Sequence, residues 1–322
     1  MQGLVTVFGG SGFLGGHVVR ALAKRGLRLR VAVRNPGRGY RLRMLGDVGQ
    51  IEVVQANIRN PDSIARALDG AQACVNLVGV LFEAGRQKFQ AVHAMGARNV
   101  AEAAAAQGVQ AFVQVSAIGA DLESRSKYAR TKAMGEAAVR EVLPQAVILR
   151  PSILFGQEDD FFNRFAAMAS LSPMLPLIGG GTCRFQPVFV GDVAAAVAGA
   201  VTDPGAAGRT YELGGPGVYT FKELMQLIAR ETGRRPILLP IPFPIASLIG
   251  LSGDLVAGLI PPPLTRDQVE LLRTDNVVSA GAPGLAELGV QATALEAMLP
   301  TYLFRYRKGG QYADAMARGV SA

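Results

Sequence analysis

The chain reads as an α/β protein: a doubly wound parallel sheet with a smaller, interleaved C-terminal domain. Three observations carry this. A short apolar run, Leu4 to Phe8, passes straight into a glycine-rich turn and then a helical pattern. Apolar runs and helical patterns alternate through the first half of the chain. After Pro151 the alternation breaks into shorter elements.

The first strand, Leu4 to Phe8, is rich in β-branched residues and is followed by Gly9-Gly10-Ser11-Gly12-Phe13-Leu14-Gly15-Gly16. A helix is expected from His17 to Arg25. Strand, glycine turn and helix together are the context of a dinucleotide-binding fingerprint. Gly9 permits the tight turn, Gly12 lets the backbone approach a pyrophosphate, and Gly15 lets the helix lie close to the strand. The free N–H groups of the helix N-terminus then face the phosphates. The glycines fall as GxxGxxG at Gly9, Gly12 and Gly15, wider than the dehydrogenase GxGxxG. That spacing resembles the extended and atypical short-chain dehydrogenase/reductases, and makes the sheet Rossmann-like.

Leu29 to Val33, Ile51 to Gln55, Ala73 to Leu77, Ala111 to Val115 and Ala146 to Leu149 read as strands two to six. Helical patterns cover Pro61 to Leu68, Gln90 to Gln107 and Ser126 to Val142. Such alternation implies a parallel sheet covered on both faces, with ligands at the carboxyl ends of the strands. Residues 1–151 are therefore expected to form an NAD(P)-binding domain, with 186–208 returning to it.

Residues 152–322 are expected to form the smaller substrate or docking domain. Phe161 to Ala169 reads as a helix, Gln186 to Val190 as a strand, Asp192 to Val201 as an alanine-rich helix and Thr210 to Leu213 as a short strand. Phe221 to Thr232 is amphipathic and carries a capping box at Thr220 and Glu223. From Pro236 to Thr265 the only charge is Asp254. The prolines and Asp254 argue against a membrane span. Two readings stay open: a surface for a partner or bilayer interface, or the core of the small domain. The tail interleaves Tyr302, Phe304 and Tyr306 with Arg305, Arg307 and Lys308, which suits an interface or a solvated terminal helix.

Hydrophobic residues make up 49% and charged residues 18%, enough apolar surface for a large core and against disorder. Cys74 and Cys183 show neither metal nor redox spacing and read as small buried residues; His17 and His93 cannot make a metal site alone, so no metal is expected. The net charge is +8, with nine basic residues between Arg20 and Arg43 and no acidic residue before Asp47. That face suits cofactor phosphates, an anionic membrane surface, an acidic partner or plain solvation. No nucleic-acid motif accompanies it. No run of about 18 apolar residues spans a membrane. Met1 lies so close to strand one that neither a signal nor a transit peptide is expected.

Arg34 ends strand two, where NAD sites carry an acidic residue for the ribose hydroxyls. An arginine there pairs instead with a 2′-phosphate, so NADP(H), as NADPH, is the expected cofactor, with Arg38 a second candidate for that phosphate. The alternative is a surface arginine in a basic stretch. Asn57 follows strand three and can accept from an adenine amino group, and Asn76-Leu77-Val78-Gly79 ends strand four beside the cofactor path. Ser116 ends strand five, and Tyr128 and Lys132 share one face of the next helix at i and i+4. In short-chain dehydrogenases the Lys lowers the Tyr pKa and binds the nicotinamide ribose, and the Tyr exchanges a proton with the substrate carbonyl. Ser116, Tyr128 and Lys132 are thus candidate catalytic residues and also candidate cofactor clamps. The Ser-to-Tyr interval is shorter than in the sugar-modifying relatives, which leaves Ser116 outside their catalytic pattern.

Later motifs narrow the resemblance. They are Arg150-Pro151-Ser152-Ile153-Leu154-Phe155-Gly156 with its continuation to Phe165, Gln186 to Val193, Leu264-Thr265-Arg266-Asp267-Gln268-Val269-Glu270 and Gly284 to Thr293. With the glycine turn they resemble, nearly end to end, the NADPH-binding accessory subunit family of respiratory complex I, an atypical branch of the short-chain dehydrogenase/reductases. The resemblance implies a cofactor role for Gly9, Gly12, Gly15, Arg34, Ser116, Tyr128 and Lys132, and Phe13, Leu14, Asn57, Leu77, Gly79 and Pro151 are further candidate cofactor-binding residues. It implies other complex I subunits as partners, with an anionic membrane surface as a further candidate. Mitochondrial members of the family carry a transit peptide, so the chain is expected to be a bacterial form, peripheral on the cytoplasmic side of the inner membrane. The expected function is a non-catalytic NADPH-binding subunit that stabilises the junction of the peripheral and membrane arms near the quinone site. Two rivals remain: an active NADP-dependent reductase or epimerase using Tyr128 and Lys132 on a small substrate, and an NADP(H)-sensing binding module.

Overall fold

The structure is a computed structural model describing residues 3–258 and 262–312. Leu259, Ile260 and Pro261 of the uncharged stretch, and 313–322 of the expected C-terminal domain, lie outside the described residues. The first half contains β1 (Leu4–Phe8), α1 (Phe13–Ala23), β2 (Arg28–Val33), β3 (Ile51–Gln55), α2 (Pro61–Leu68), β4 (Ala73–Asn76), α3 (Met95–Ala106), β5 (Ala111–Val115), α4 (Lys127–Val142) and β6 (Val147–Pro151). Then come β7 (Leu154–Phe155), α5 (Phe161–Leu171), β8 (Met174–Ile178), β9 (Arg184–Phe185), β10 (Val188–Phe189), α6 (Val190–Thr202) and β11 (Thr210–Leu213). The chain continues through β12 (Tyr219–Thr220), α7 (Phe221–Glu231), β13 (Ile237–Ile241), α8 (Phe243–Val256) and α9 (Arg266–Leu271).

Seven strands form one sheet in the order β3-β2-β1-β4-β5-β6-β11, and every neighbouring pair is parallel. The order reverses between β1 and β4, which opens a crevice at their carboxyl ends. The strands are apolar on both faces because both faces are covered. Val5, Val7, Val31 and Val75 are fully buried in one core with residues of α1 and α6; Phe8 and Cys74 are buried in a second with residues of α2 and α3. Burying one such valine stabilises the fold by about 1.5–3 kcal/mol. Thr6, buried between them, donates to Ala67 O at 2.8 Å and so ties β1 to α2.

The structure moves some expected boundaries. α1 starts at Phe13, not His17, because Gly12 takes the N-cap position. β6 runs on to Pro151 because β11 pairs with it, Leu213 against Pro151, so the return to the sheet reaches beyond residue 208. The helix expected from Gln90 opens with a π-helical turn, Gln90–Ala94. Cys74 is buried as expected, whereas Cys183 is half-exposed.

A third core joins α5 and α7 through Phe155, Phe162, Phe221, Leu224 and Ile228. The capping box at Thr220 and Glu223 forms as the sequence predicts. α8 is built the other way round from α7. Its buried residues are Ala246, Gly250 and Gly253, and a Cβ on Gly250 would fall 2.7 Å from Arg266 N. Its large side chains point outward: Leu248 is 69% and Leu255 79% exposed. Along α8 the uncharged stretch therefore turns its leucines outward and its small residues inward. Among the described residues no helix is long and apolar enough to cross a membrane.

Candidate nucleotide site

The glycine turn is shaped by what its residues lack. Gly9 sits at φ +82°, in the left-handed region that favours glycine. A Cβ on Gly15 would lie against Gly9 O and 2.6 Å from Gly10 Cα, so only glycine lets α1 start this close to the turn. Gly12 accepts no side-chain cap and is exposed, and its own N–H is taken by Gly9 O at 3.1 Å. The N–H groups of Phe13, Leu14 and Gly15 therefore open the helix without intrahelical acceptors, an anion-binding arrangement. No acidic residue occupies this first turn.

Beyond β2 and β3 lies a cleft of about 320 Å³ lined by Arg34, Gln55, Ala56, Asn57, Asn60, Ser63 and Arg66. Arg34 is exposed, and no carboxylate pairs with it among the described residues. Arg38, the second phosphate candidate, lies on the neighbouring turn Pro36–Arg38 and does not line the cleft. Arg66, on the last turn of α2, does, and no sequence pattern singled it out. Asn57 is half-buried at the cleft, and its Oδ1 already accepts from Arg59 N at 3.1 Å.

The other wall is α4 and the π-helical turn. Ser116 N donates to Leu149 O at 2.7 Å, while the buried Ser116 Oγ has no partner among the described residues. Lys132 is buried, with Nζ 3.4 Å from Val115 O and 5.7 Å from the centroid of the Tyr128 ring. A Cβ on Gly79 would fall 3.2 Å from Lys132 Nζ, so the end of β4 and α4 meet there. Leu77 donates its N–H to Phe8 O at 3.0 Å and Pro151 accepts from Ile118 N at 3.0 Å, which fixes both at the carboxyl edge of the sheet.

Sequence reasoning gave His93 no role, yet it organises this wall. Its ring stacks on Phe89 at 5.3 Å and meets Tyr128 edge-on at 5.2 Å. Val80 N donates to Nε2 at 3.0 Å, so Nδ1 carries the proton and donates to Thr131 Oγ1 at 3.1 Å; Thr131 in turn donates to Lys127 O at 2.8 Å. Burial, reinforced by the Lys132 ammonium, brings His93 down to about 2 and keeps the ring neutral. Gly135 makes this fit: a Cβ there would collide with His93 O. Burial also brings Lys132 down to about 8, with Glu136 opposing. Burial and then the Asp267 carboxylate push the Tyr128 phenol up to about 12. That departs from the expected lowering by Lys132, whose ammonium lies over the ring and is itself desolvated. Tyr128 is thus held as the neutral phenol at this wall.

Residues 5–214 match the NAD dependent epimerase/dehydratase family. NADH dehydrogenase (ubiquinone) 1 alpha subcomplex subunit 9, mitochondrial, of Arabidopsis thaliana is 37% identical over 320 residues, 96% of this chain and 80% of that protein. The chain belongs to the subunit 9 family. This family is an atypical short-chain dehydrogenase/reductase family built on the epimerase/dehydratase fold. A ceramide reductase of Caulobacter vibrioides is 34% identical over 80% of this subunit 9 homologue and 77% of its own length. The triphenylmethane reductase of Citrobacter sp. superposes with a TM-score of 0.73 at 22% identity, covering 93% of this chain and 99% of the other, a likeness of fold alone. The expected placement on a bacterial inner membrane is overturned, because the Arabidopsis thaliana subunit 9 relative is mitochondrial. That expectation rested on how few residues precede β1, a count that reports on no compartment.

Proposed function

We propose that this subunit 9 homologue is an NADPH-binding, non-catalytic accessory subunit of respiratory complex I, stabilising the junction of its peripheral and membrane arms near the quinone site. The observation that carries it is the 37% identity to a complex I subunit across 96% of the chain. The residues present fit the nucleotide. Three free N–H groups open α1 at Gly12. The orphaned Ser116 hydroxyl lies at the carboxyl end of β5, two strands from β1, and Arg34 and Arg66 line the cleft where a 2′-phosphate would sit. In this reading Gly9, Gly12, Phe13, Leu14 and Gly15 hold the pyrophosphate, Asn57 faces the adenine, and Leu77, Gly79 and Pro151 border the nicotinamide end. Ser116, Tyr128 and Lys132 clamp its ribose. Residues 3–151 with 186–213 are the nucleotide-binding unit, and the remainder docks to other complex I subunits through the outward leucines of α8.

The test is mild-detergent isolation of the tagged chain from membranes that contain complex I, with mass spectrometry of partners and bound nucleotide. Complex I subunits together with NADPH are expected. A free homo-oligomer without those partners rejects the reading.

A second reading has one observation in its favour, the likeness to a ceramide reductase over 80% of the chain. It makes the protein an active reductase, with the nicotinamide supplying hydride and Tyr128 the proton. Steady-state NADPH oxidation with a carbonyl substrate, abolished in Tyr128→Phe while nucleotide stays bound, is its signature.

A further inference from the structure

α4 is capped from outside its own part of the chain. Its N-cap, Ser126, accepts from Ala129 N at 3.2 Å with the oxygen that also donates to Asp267 Oδ2 at 2.8 Å. Asp267 Oδ1 accepts from Lys127 N at 2.6 Å, and Oδ2 from Tyr128 N at 3.1 Å. One carboxylate thus takes two main-chain donors and the N-cap hydroxyl, 139 to 141 residues away along the chain. It sits at the positive end of the α4 dipole, a stabilising place for a carboxylate.

Asp267 is itself held firmly. It lies in α9, whose start is fixed by a capping box between Thr265 and Gln268. α9 lies against the small-residue face of α8, where Gly250 and Gly253 meet the backbone of Arg266 and Leu264. The outward leucines of α8 and the first turn of α4 are therefore linked through a single side chain. Tyr128 and Lys132 lie on that first turn and the next.

We propose that Asp267 is a positioning residue for the Tyr128–Lys132 wall, through which the seating of α8 and α9 and the occupation of the cleft by a nucleotide favour one another. The inference rests on the nucleotide reading for its ligand, but not for the hold of Asp267 on α4. Linkage makes the effect reciprocal: whatever seats α8 and α9 tightens nucleotide binding, and nucleotide steadies α8 and α9.

The test compares the full chain with Asp267→Asn, Asp267→Ala and Asp267→Glu by hydrogen exchange, with and without saturating NADPH, and by NADPH titration. Without nucleotide, exchange over 127–132 is expected to quicken in the Asn and Ala variants and to recover in the Glu variant. NADPH is expected to slow exchange over 266–271 in the wild type and not in Asp267→Asn, with affinity about tenfold weaker in Asp267→Ala. If Asp267→Ala fails to fold, Asp267→Asn, which keeps one acceptor oxygen, carries the comparison. NADPH that binds the wild type without slowing exchange over 266–271, or slows it equally in Asp267→Asn, overturns the coupling and leaves the nucleotide reading standing. A wild type that binds no NADPH rejects the nucleotide reading and the coupling to it. The nucleotide-free exchange over 127–132 still decides whether Asp267 positions α4.

Discussion

The glycine turn and the α4 wall border the same crevice, one as bare backbone and the other as packed side chains. At the turn, Gly9, Gly12 and Gly15 leave room, and main-chain N–H groups are the working atoms. At the wall, Phe89, His93, Tyr128 and Lys132 pack together, and a chain of hydrogen bonds from Val80 to Lys127 fixes the ring between them. The difference teaches where each wall is fragile. A backbone wall fails when atoms are added, and a side-chain wall fails when they are removed or recharged.

Adding atoms to the backbone wall gives the largest expected effect. In Gly15→Val the new side chain meets Gly9 O and Gly10 Cα with no room to turn. Overpacking of this kind is expected to destabilise the fold by about 3 kcal/mol and to abolish NADPH binding, since α1 must retreat from the turn. Thermal melting and a binding titration check both. A variant that melts like the wild type and keeps its nucleotide would show that the turn is not built as described.

Recharging the side-chain wall comes next. His93 is neutral in the folded chain, brought down to about 2 from an ordinary 6.5. Below pH 6.5 the unfolded chain takes up a proton that the folded chain refuses. The stabilising contribution is therefore present above that pH and is lost progressively as pH falls. Between about pH 7 and pH 5 the loss from this one group is on the order of 2 kcal/mol. Denaturant unfolding should show it as a steeper pH dependence in the wild type than in His93→Gln, which starts less stable because the packed imidazole and its bond from Val80 are gone. Parallel pH profiles for the two proteins would remove His93 from this role.

The contrast between the walls is also the contrast in what the sequence discloses. Three glycines at fixed spacing behind a β-branched run are a local signal, and β1, β3, β5 and α2 fall where periodicity places them. Tyr128 and Lys132 were legible because i and i+4 on one helix must share a face. His93 was not, because its partners Val80 and Thr131 are 13 and 38 residues away and meet only when the π-helical turn seats on α4. Asp267 stood inside a recognisable motif, yet its work on α4 depends on a contact 139 to 141 residues long. α8 defeated the pattern for another reason: it has a single charge, Asp254, to mark an outer face, and only the packing of Gly250 and Gly253 shows which residues face in. Arg66 gave no signal at all, since an arginine in the last turn of a short helix is ordinarily a solvated one.

Arg34 sharpens the comparison with the smallest change. It is a side chain at the open end of the backbone wall, exposed and without a carboxylate partner among the described residues. Arg34→Ser should leave stability within about 0.5 kcal/mol of the wild type, since the residue is exposed. If its guanidinium meets a 2′-phosphate, losing that charge-assisted bond weakens NADPH binding about tenfold. NADH, which has a hydroxyl in that place, should bind both proteins alike. Arg66 remains in the cleft and preserves some preference for the phosphate, so the double variant Arg34→Ser with Arg66→Ser should lose what the single one keeps. Equal weakening toward NADH and NADPH would mean that Arg34 holds the shape of the cleft and does not read the phosphate. Cofactor choice would then rest on Arg66, the side chain that the sequence left unmarked.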